Sequence, residues 1–491
     1  MVLPRWRPWR VSERTGELGG LRISQGLLDQ VVTDESASEQ IASRIIDYDH
    51  RHGLHEATDL VGTALVLGRE ADERVRTAAA ELANASSEVA RNLSNAVLGI
   101  AGRQADHAEA PTMSRSVTML RIRKLKEIVE RDPRNALAWV DLALAQTVLG
   151  NVAAAEQPIR ISLAQAKGNR FVLRAAARFY VVQDDIDRAH QVLTADSDLL
   201  VNDPWLLAAE IAITDLNNES PRFIRHARRL LDASFYPHDL SELASALATV
   251  ELAAGRTKIA RRLLSRALID PTDNALAQAE WSANRGVDIV APGQLEGVLR
   301  GFEARARHHG RSREFDLAVR EGVRWQDDQP FALDPALFVS FIAATFTEDF
   351  EAAINACKVG LISSPRNPRL LNNLAFAEAS AGQTSSARTV LARPMDAPSE
   401  RDRAVQMATR GLIEFREGNI DSGRSFYRHA INELRPAHPA AAALAAMYWA
   451  YEEYLVSGDP ISVITDADKL GSAALRDADV LLVRGRLNRF G

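Results

Sequence analysis

Three short stretches hold residues whose types and spacing could do chemistry. The stretch DYDHRHGLHE places Asp47, Asp49, His50, His52, His55 and Glu56 within ten residues. Imidazoles beside carboxylates could ligate zinc or another divalent ion. His52-Gly53 also reads as the turn of a helical hairpin, where solvated polar side chains are ordinary. That reading is preferred, and no metal or cofactor is expected. Arg424 and His429 have an Arg-x4-His spacing that could serve a nuclease at a dimer interface, but a chain with 53 Arg and 11 His produces such pairs by chance. The third stretch, Arg5-Trp6-Arg7-Pro8-Trp9-Arg10, alternates cations and indoles. It could meet nucleic acid or an acidic partner through stacking and cation–π contacts, or be an unstructured chain start.

Other catalytic scaffolds are missing. No Gly-rich phosphate cradle ends in Lys-Ser or Lys-Thr, no dinucleotide fingerprint follows a strand, and no zincin pattern occurs. The lone cysteine, Cys357, excludes an internal disulfide and any Cys-based zinc or iron–sulfur site within one chain. It falls where a helix should face inward, which predicts a buried thiol rather than a nucleophile. No catalytic residue is assigned.

The 491 residues are 46% hydrophobic and 25% charged, the balance of a globular chain. A net charge of −6 gives no bulk electrostatic reason to expect nucleic acid or an anionic membrane. The opening MVLPRWRPWR has no apolar stretch behind its arginines, so a secretory signal is not expected. No window approaches the roughly 20 apolar residues needed to span a bilayer. A cytoplasmic, bacterial protein is the expectation.

The elements that must position these residues are helices. Aromatics are sparse at 6%, and Ala, Leu, Arg, Glu and Gln dominate, which lose little rotamer freedom in a helix. Apolar residues recur at three- and four-residue spacing, as at Leu142, Ala143, Leu144 and Val148, or Leu243, Leu247, Val250 and Leu252. Breakers interrupt them every 12 to 16 residues.

These helices repeat. From Trp139, Leu142, Ala143, Gly150, Ala155, Ile159 and Ser162 follow in an order of large, small and turn residues. Ala155 and Ala189 lie 34 residues apart, as do Ala353 and Ala387. Leu247, Ala248, Gly255, Ala260, Leu264 and Ala267 repeat the order, as do Leu374, Ala375, Gly382, Ala387 and Leu391, then Gly411, Gly418, Gly423, Tyr427 and Ala430. This pattern resembles the tetratricopeptide repeat, whose 34-residue unit is two antiparallel helices. The resemblance implies an all-α fold, an α-α superhelix of antiparallel helix pairs in which neighbours must stack to bury their apolar sides.

The expected organisation is an N-terminal segment over 1–35, partly disordered, and a helical region over 36–110. A repeat block follows over 117–285, then an irregular helical spacer over 286–330, a second block over 331–455 and capping helices over 456–491. The polar stretch over 104–116 is the best linker candidate.

In the tetratricopeptide family the first helix of each unit lines a groove for partner peptides. Carried onto this sequence, the protein-binding groove would comprise Val140, Leu144, Arg174, Arg178, Phe338, Ile342, Asn372, Asn373, Phe376, Leu412 and Phe415. Seven of these eleven are apolar. The family's carboxylate clamp needs Lys and Asn; only Asn372 and Asn373 suggest it and the lysines are missing, so an acidic C-terminal tail is not the expected ligand. The groove would take a helix or extended segment of a partner protein, or be filled by the chain's own N-terminal helices. The expected function is a non-enzymatic scaffold or adaptor with a protein partner, without membrane or nucleic acid. The alternative is a sensor or regulatory subunit of a separately encoded nuclease, toxin or signalling enzyme.

Overall fold

A computed structural model describes residues 3–9, 34–67, 72–83, 115–217 and 221–458, with a few single positions besides. The linker candidate over 104–116, apart from its last two residues, and the terminal caps lie outside the described residues. Among the described residues every regular element is a helix.

In chain order these are α1 (Asp34–Arg51), α2 (Leu54–Leu67), α3 (Glu73–Leu82), α4 (Arg115–Arg131), α5 (Ala136–Val148), α6 (Val152–Gln165), α7 (Arg170–Val182), α8 (Ile186–Thr194), α9 (Ser197–Asn202), α10 (Pro204–Leu216), α11 (Ile224–Leu231), α12 (Pro237–Ala253), α13 (Thr257–Ala267), α14 (Asp273–Ala283), α15 (Pro292–Gly297) and α16 (Phe302–Arg311). Then come α17 (Phe315–Asp328), α18 (Leu333–Ile342) with a π-helical turn over Ala343–Thr347, α19 (Phe350–Ser363), α20 (Pro368–Ser380), α21 (Thr384–Leu391), α22 (Glu400–Arg416), α23 (Ile420–Leu434) and α24 (Pro439–Ser457).

The chain divides into two compact units, one of residues 1–312 with 324–331 and one of 313–323 with 332–491. The division falls inside the stretch expected as a spacer, whose sequence forms α15, α16 and α17.

In the first unit the helix pairs α5–α6, α7–α8, α10–α11 and α12–α13 follow one another. Each start has a local reason. Asn135 and Asn169, one repeat apart, accept hydrogen bonds from the amides of Ala138 (2.9 Å) and Val172 (3.0 Å), satisfying donors that a helix start leaves free. The pairs close because Ala155, Ala189 and Ala260 are fully buried and leave room for large neighbours such as Ile159 and Leu193. Helices α1 to α3 have a core of their own, built on Tyr48, Leu60, Val61, Val75 and Leu82. The turn at His52-Gly53 is where the sequence placed it. Lys124 of α4 ties to Asp59 of α2 by an ion pair.

The second unit pairs α18 with α19, α20 with α21 and α22 with α23, and α24 packs on both α22 and α23. Ala353 and Ala387 are again fully buried. Between α22 and α23 the close approach needs glycine. A Cβ on Gly411 would sit 2.8 Å from the Tyr427 ring, and one on Gly423 would strike the Phe415 ring.

Six of the seven turns within these pairs show one backbone solution. Gly150, Gly255, Gly382 and Gly418 have φ between +73° and +84°, a region that suits glycine because it has no Cβ. Asp184, 34 residues after Gly150, and Glu348, 34 before Gly382, take the same left-handed turn at φ +61° and +56° without it. The repeat geometry therefore overrides the side chain at those two turns.

Candidate functional site

Residues 3–9 of the chain lie against α5 and α7, the first helices of two pairs in the first unit, and against α14, α16 and the end of α17. Helix α7 sets the path. Trp6 meets Phe179 edge to face with ring centroids 6.0 Å apart, and Trp9 meets Phe171 at 5.1 Å. The segment therefore runs antiparallel to α7. Eight helical residues rise about 12 Å, and three extended residues span about 10 Å, so the two indoles reach both rings. Pro8 helps, since the residue before a proline is biased to extended backbone. Trp6 also packs against Phe331 at 5.5 Å and is 1% exposed. The backbone is held at both ends: the amide of Trp9 donates to Asp141 Oδ1 of α5 (3.0 Å), and Asn274 Nδ2 of α14 donates to the carbonyl of Leu3 (2.9 Å).

The two arginines beside Trp6 enter a cluster of three carboxylates from three helices. Arg7, 1% exposed, places Nε 2.9 Å from both oxygens of Asp328 and Nη2 2.5 Å from Asp273 Oδ2. Arg5 Nη2 lies 2.6 Å from Glu303 Oε2, and its Nε 3.3 Å from Asp273. Asp273 stands in the first turn of α14, where the helix dipole favours an anion. Asp328 ends α17, where the dipole opposes one. Cations offset this, and Arg300 joins Arg7 at 2.6 Å. Glu303 has a second partner in Arg307 at 2.8 Å.

Electrostatics follow this geometry. Burial alone would push the Glu303 carboxyl up, but the Arg5 and Arg307 guanidiniums outweigh it and hold it down to about 2. Burial likewise opposes ionisation of Asp328, and Arg7 with Arg300 reverses that, leaving it well below the usual carboxylate range. Arg7 loses hydration on burial and is still held above its ordinary value by Asp273 and Asp328. All these groups are charged at neutral pH.

Of the residues expected in the groove, Val140 and Leu144 belong to the apolar cluster that holds Trp6 and Trp9. Arg178 lies over the Phe331 ring at 5.7 Å. Arg174 has a structural post: it is 2.9 Å from Glu242 and 4.7 Å over the Trp205 ring. In the second unit Phe338 is half-buried and Ile342 buried. The buried Asn372 has an Oδ1 without a hydrogen-bond partner, and Asn373 donates to Ser340 Oγ at 2.9 Å. Phe376 meets Tyr448 edge to face at 5.0 Å. Leu412 and Phe415, expected to line a groove, are 2% and 4% exposed in the core of that unit, with the Phe415 ring 6.0 Å from Tyr427 of the paired helix. They are corrected to packing residues, because α23 and α24 cover α22.

The three stretches named for their chemistry resolve differently. Arg5 to Trp9 is neither free nor unstructured: its acidic partner is supplied by the same chain. Of the chain's own N-terminal residues, 3–9 lie on this face of the first unit, without regular structure up to Pro8. Asp47, Asp49 and Glu56 pair with Arg44, Arg74 and Arg51, and among the described residues no three potential ligands come together. Arg424 is engaged by Glu453 at 2.7 Å and Asp421 at 3.2 Å, while His429 is exposed. Cys357 is fully buried, and burial pushes its thiol up to about 12 against a hydrogen bond from Ser340.

No family model and no curated protein matches the sequence. Among solved structures the chain is similar to that of the APC/C hetero-tetramer Cut9-Hcn1, at 12% identity over 97% of both chains with a TM-score of 0.41. It is similar to yeast Tom70 at 11% identity over 93% of this chain and 96% of that one, TM-score 0.30. It is also similar to a monomeric IFIT1 mutant with m7Gppp-AAAA at 12% identity, covering 98% and 100%, TM-score 0.29. The chain's own helix pairs, with their 34-residue step, buried alanines and left-handed turns, make it a tetratricopeptide-like helical repeat protein.

Proposed function

We propose that the protein is a non-enzymatic interaction scaffold that binds a partner protein through the face formed by the first helices of its pairs. The observation that carries this reading is the seating of residues 3–9: α5, α7 and α14 hold this strip by its side chains and both ends of its backbone. Aromatic anchors in pockets, with charged pairs fully desolvated beside them, are the features that concentrate binding energy at interfaces. No described helix is long and apolar enough to cross a membrane.

The test uses the full chain as bait in its native host, with crosslinking before purification and mass spectrometry of the crosslinked peptides. The reading predicts a recurrent protein partner whose crosslinks map to the first helices of the pairs. Recovery of the protein alone, or crosslinks confined to second helices, contradicts it.

A further inference from the structure

We propose that the face lined by Asp141, Phe171, Phe179, Asp273, Glu303 and Asp328 is an exchangeable site for an extended cationic–aromatic segment of a partner protein, with residues 3–9 as its resident occupant in cis. This rests on the scaffold reading and adds to it the chemistry of the ligand.

The site's own charges point to exchange. When the strip leaves, each carboxylate keeps some compensation: Asp328 retains Arg300, Glu303 retains Arg307, and Asp273 retains the first turn of α14. A buried anion stripped of every partner would be strongly destabilising, but here none is. What the vacated face lacks is the pair of guanidiniums and the two indoles. A carboxylate trio with two arginines then selects cations, and Phe171, Phe179 and Phe331 select aromatic faces. The spacing is equally specific. Arginines two residues apart flank one aromatic, and a second aromatic follows three residues after the first.

The cis strip belongs to the same chain, so its seating is an intramolecular event that a free ligand must outcompete. A free ligand of equal intrinsic affinity therefore competes poorly with the wild type and well with a chain whose own strip is weakened.

The experiment measures binding of a fluorescein-labelled peptide of residues 1–12 to the full chain, to full-length Trp6→Ala/Arg7→Ala, and to that variant with Asp328→Asn added. At least tenfold tighter binding to Trp6→Ala/Arg7→Ala than to wild type is expected. At least tenfold loss is expected on adding Asp328→Asn, and no binding of a peptide carrying Arg5→Glu and Arg7→Glu. Equal affinity for wild type and double variant, at unchanged helical content, overturns the proposal. Should the double variant not fold, hydrogen exchange of the wild type decides: excess free peptide must accelerate exchange of the Trp9 amide at least threefold, and no acceleration overturns the proposal. A wild-type dimer that Trp6→Ala/Arg7→Ala converts to monomer makes a second copy the occupant in trans and overturns the partner assignment. Loss of peptide exchange while partner crosslinks persist defeats this inference and leaves the scaffold reading standing; loss of both defeats both.

Discussion

Arg7 and Asp328, 321 residues apart in sequence, form a buried pair in which one guanidinium Nε is 2.9 Å from both carboxylate oxygens. The pair joins the start of the chain to the last turn of α17. It is the polar half of the contact whose apolar half is Trp6 between Phe179 and Phe331.

Breaking this pair on one side should be costly. Removing one partner of a buried ion pair leaves an uncompensated charge, typically about 3–5 kcal/mol. Arg7→Ala leaves Asp328 with Arg300, and Asp328→Ala leaves Arg7 with Asp273, so each should lose stability in urea unfolding by less than that full range. The double variant should lose at least about 1 kcal/mol less than the sum, the coupling expected of residues in contact. Strict additivity would place the two side chains apart.

The same cluster sets a pH dependence. The Glu303 carboxyl is lowered from 4.5 to about 2 in the folded chain. A lowered carboxyl contributes stability that is fully present above its unfolded value and is lost as pH falls through the folded one. The melting temperature of the wild type should therefore drop more steeply between pH 4.5 and 2 than that of Glu303→Gln. Parallel curves in calorimetry would show that Glu303 is not held by Arg5 and Arg307.

In the second unit Gly423→Ala forces a methyl group against the Phe415 ring where α22 and α23 touch. Overpacking of this kind costs about 1–3 kcal/mol. Denaturation midpoints should fall accordingly, whereas an Ala substitution at Gly168, whose Cβ would meet nothing within 4 Å, should change little.

Cys357 should be inert. Its thiol is fully buried and pushed up to about 12, so thiolate is scarce at neutral pH. Labelling by a thiol-reactive dye should proceed at the rate of unfolding, and rapid labelling of the native protein would contradict its burial.

Much of the fold is legible because repeats write their geometry locally. Ala155, Ala189, Ala353 and Ala387 mark where helices touch, and Gly150, Gly255, Gly382 and Gly418 mark where pairs turn. Asp184 and Glu348 hide two such turns, since their left-handed backbone is imposed by neighbours and carries no glycine. The site was half legible. Arg5, Trp6, Arg7 and Trp9 announce themselves by alternation, but Asp273, Glu303 and Asp328 come from three helices with no common spacing. Only folding brings them together. Phe415 misled for a related reason: the groove register counts along one helix, and α24 covers a face the count leaves open.

The central claim is that the chain's first residues occupy the first-helix face. The most direct test replaces Trp6 in the full chain with the photo-crosslinker p-benzoylphenylalanine, irradiates, and maps the products by mass spectrometry. The account predicts intramolecular crosslinks to α7 around Phe179 and to the stretch containing Phe331. Crosslinks elsewhere in the chain, or only between molecules, would contradict it.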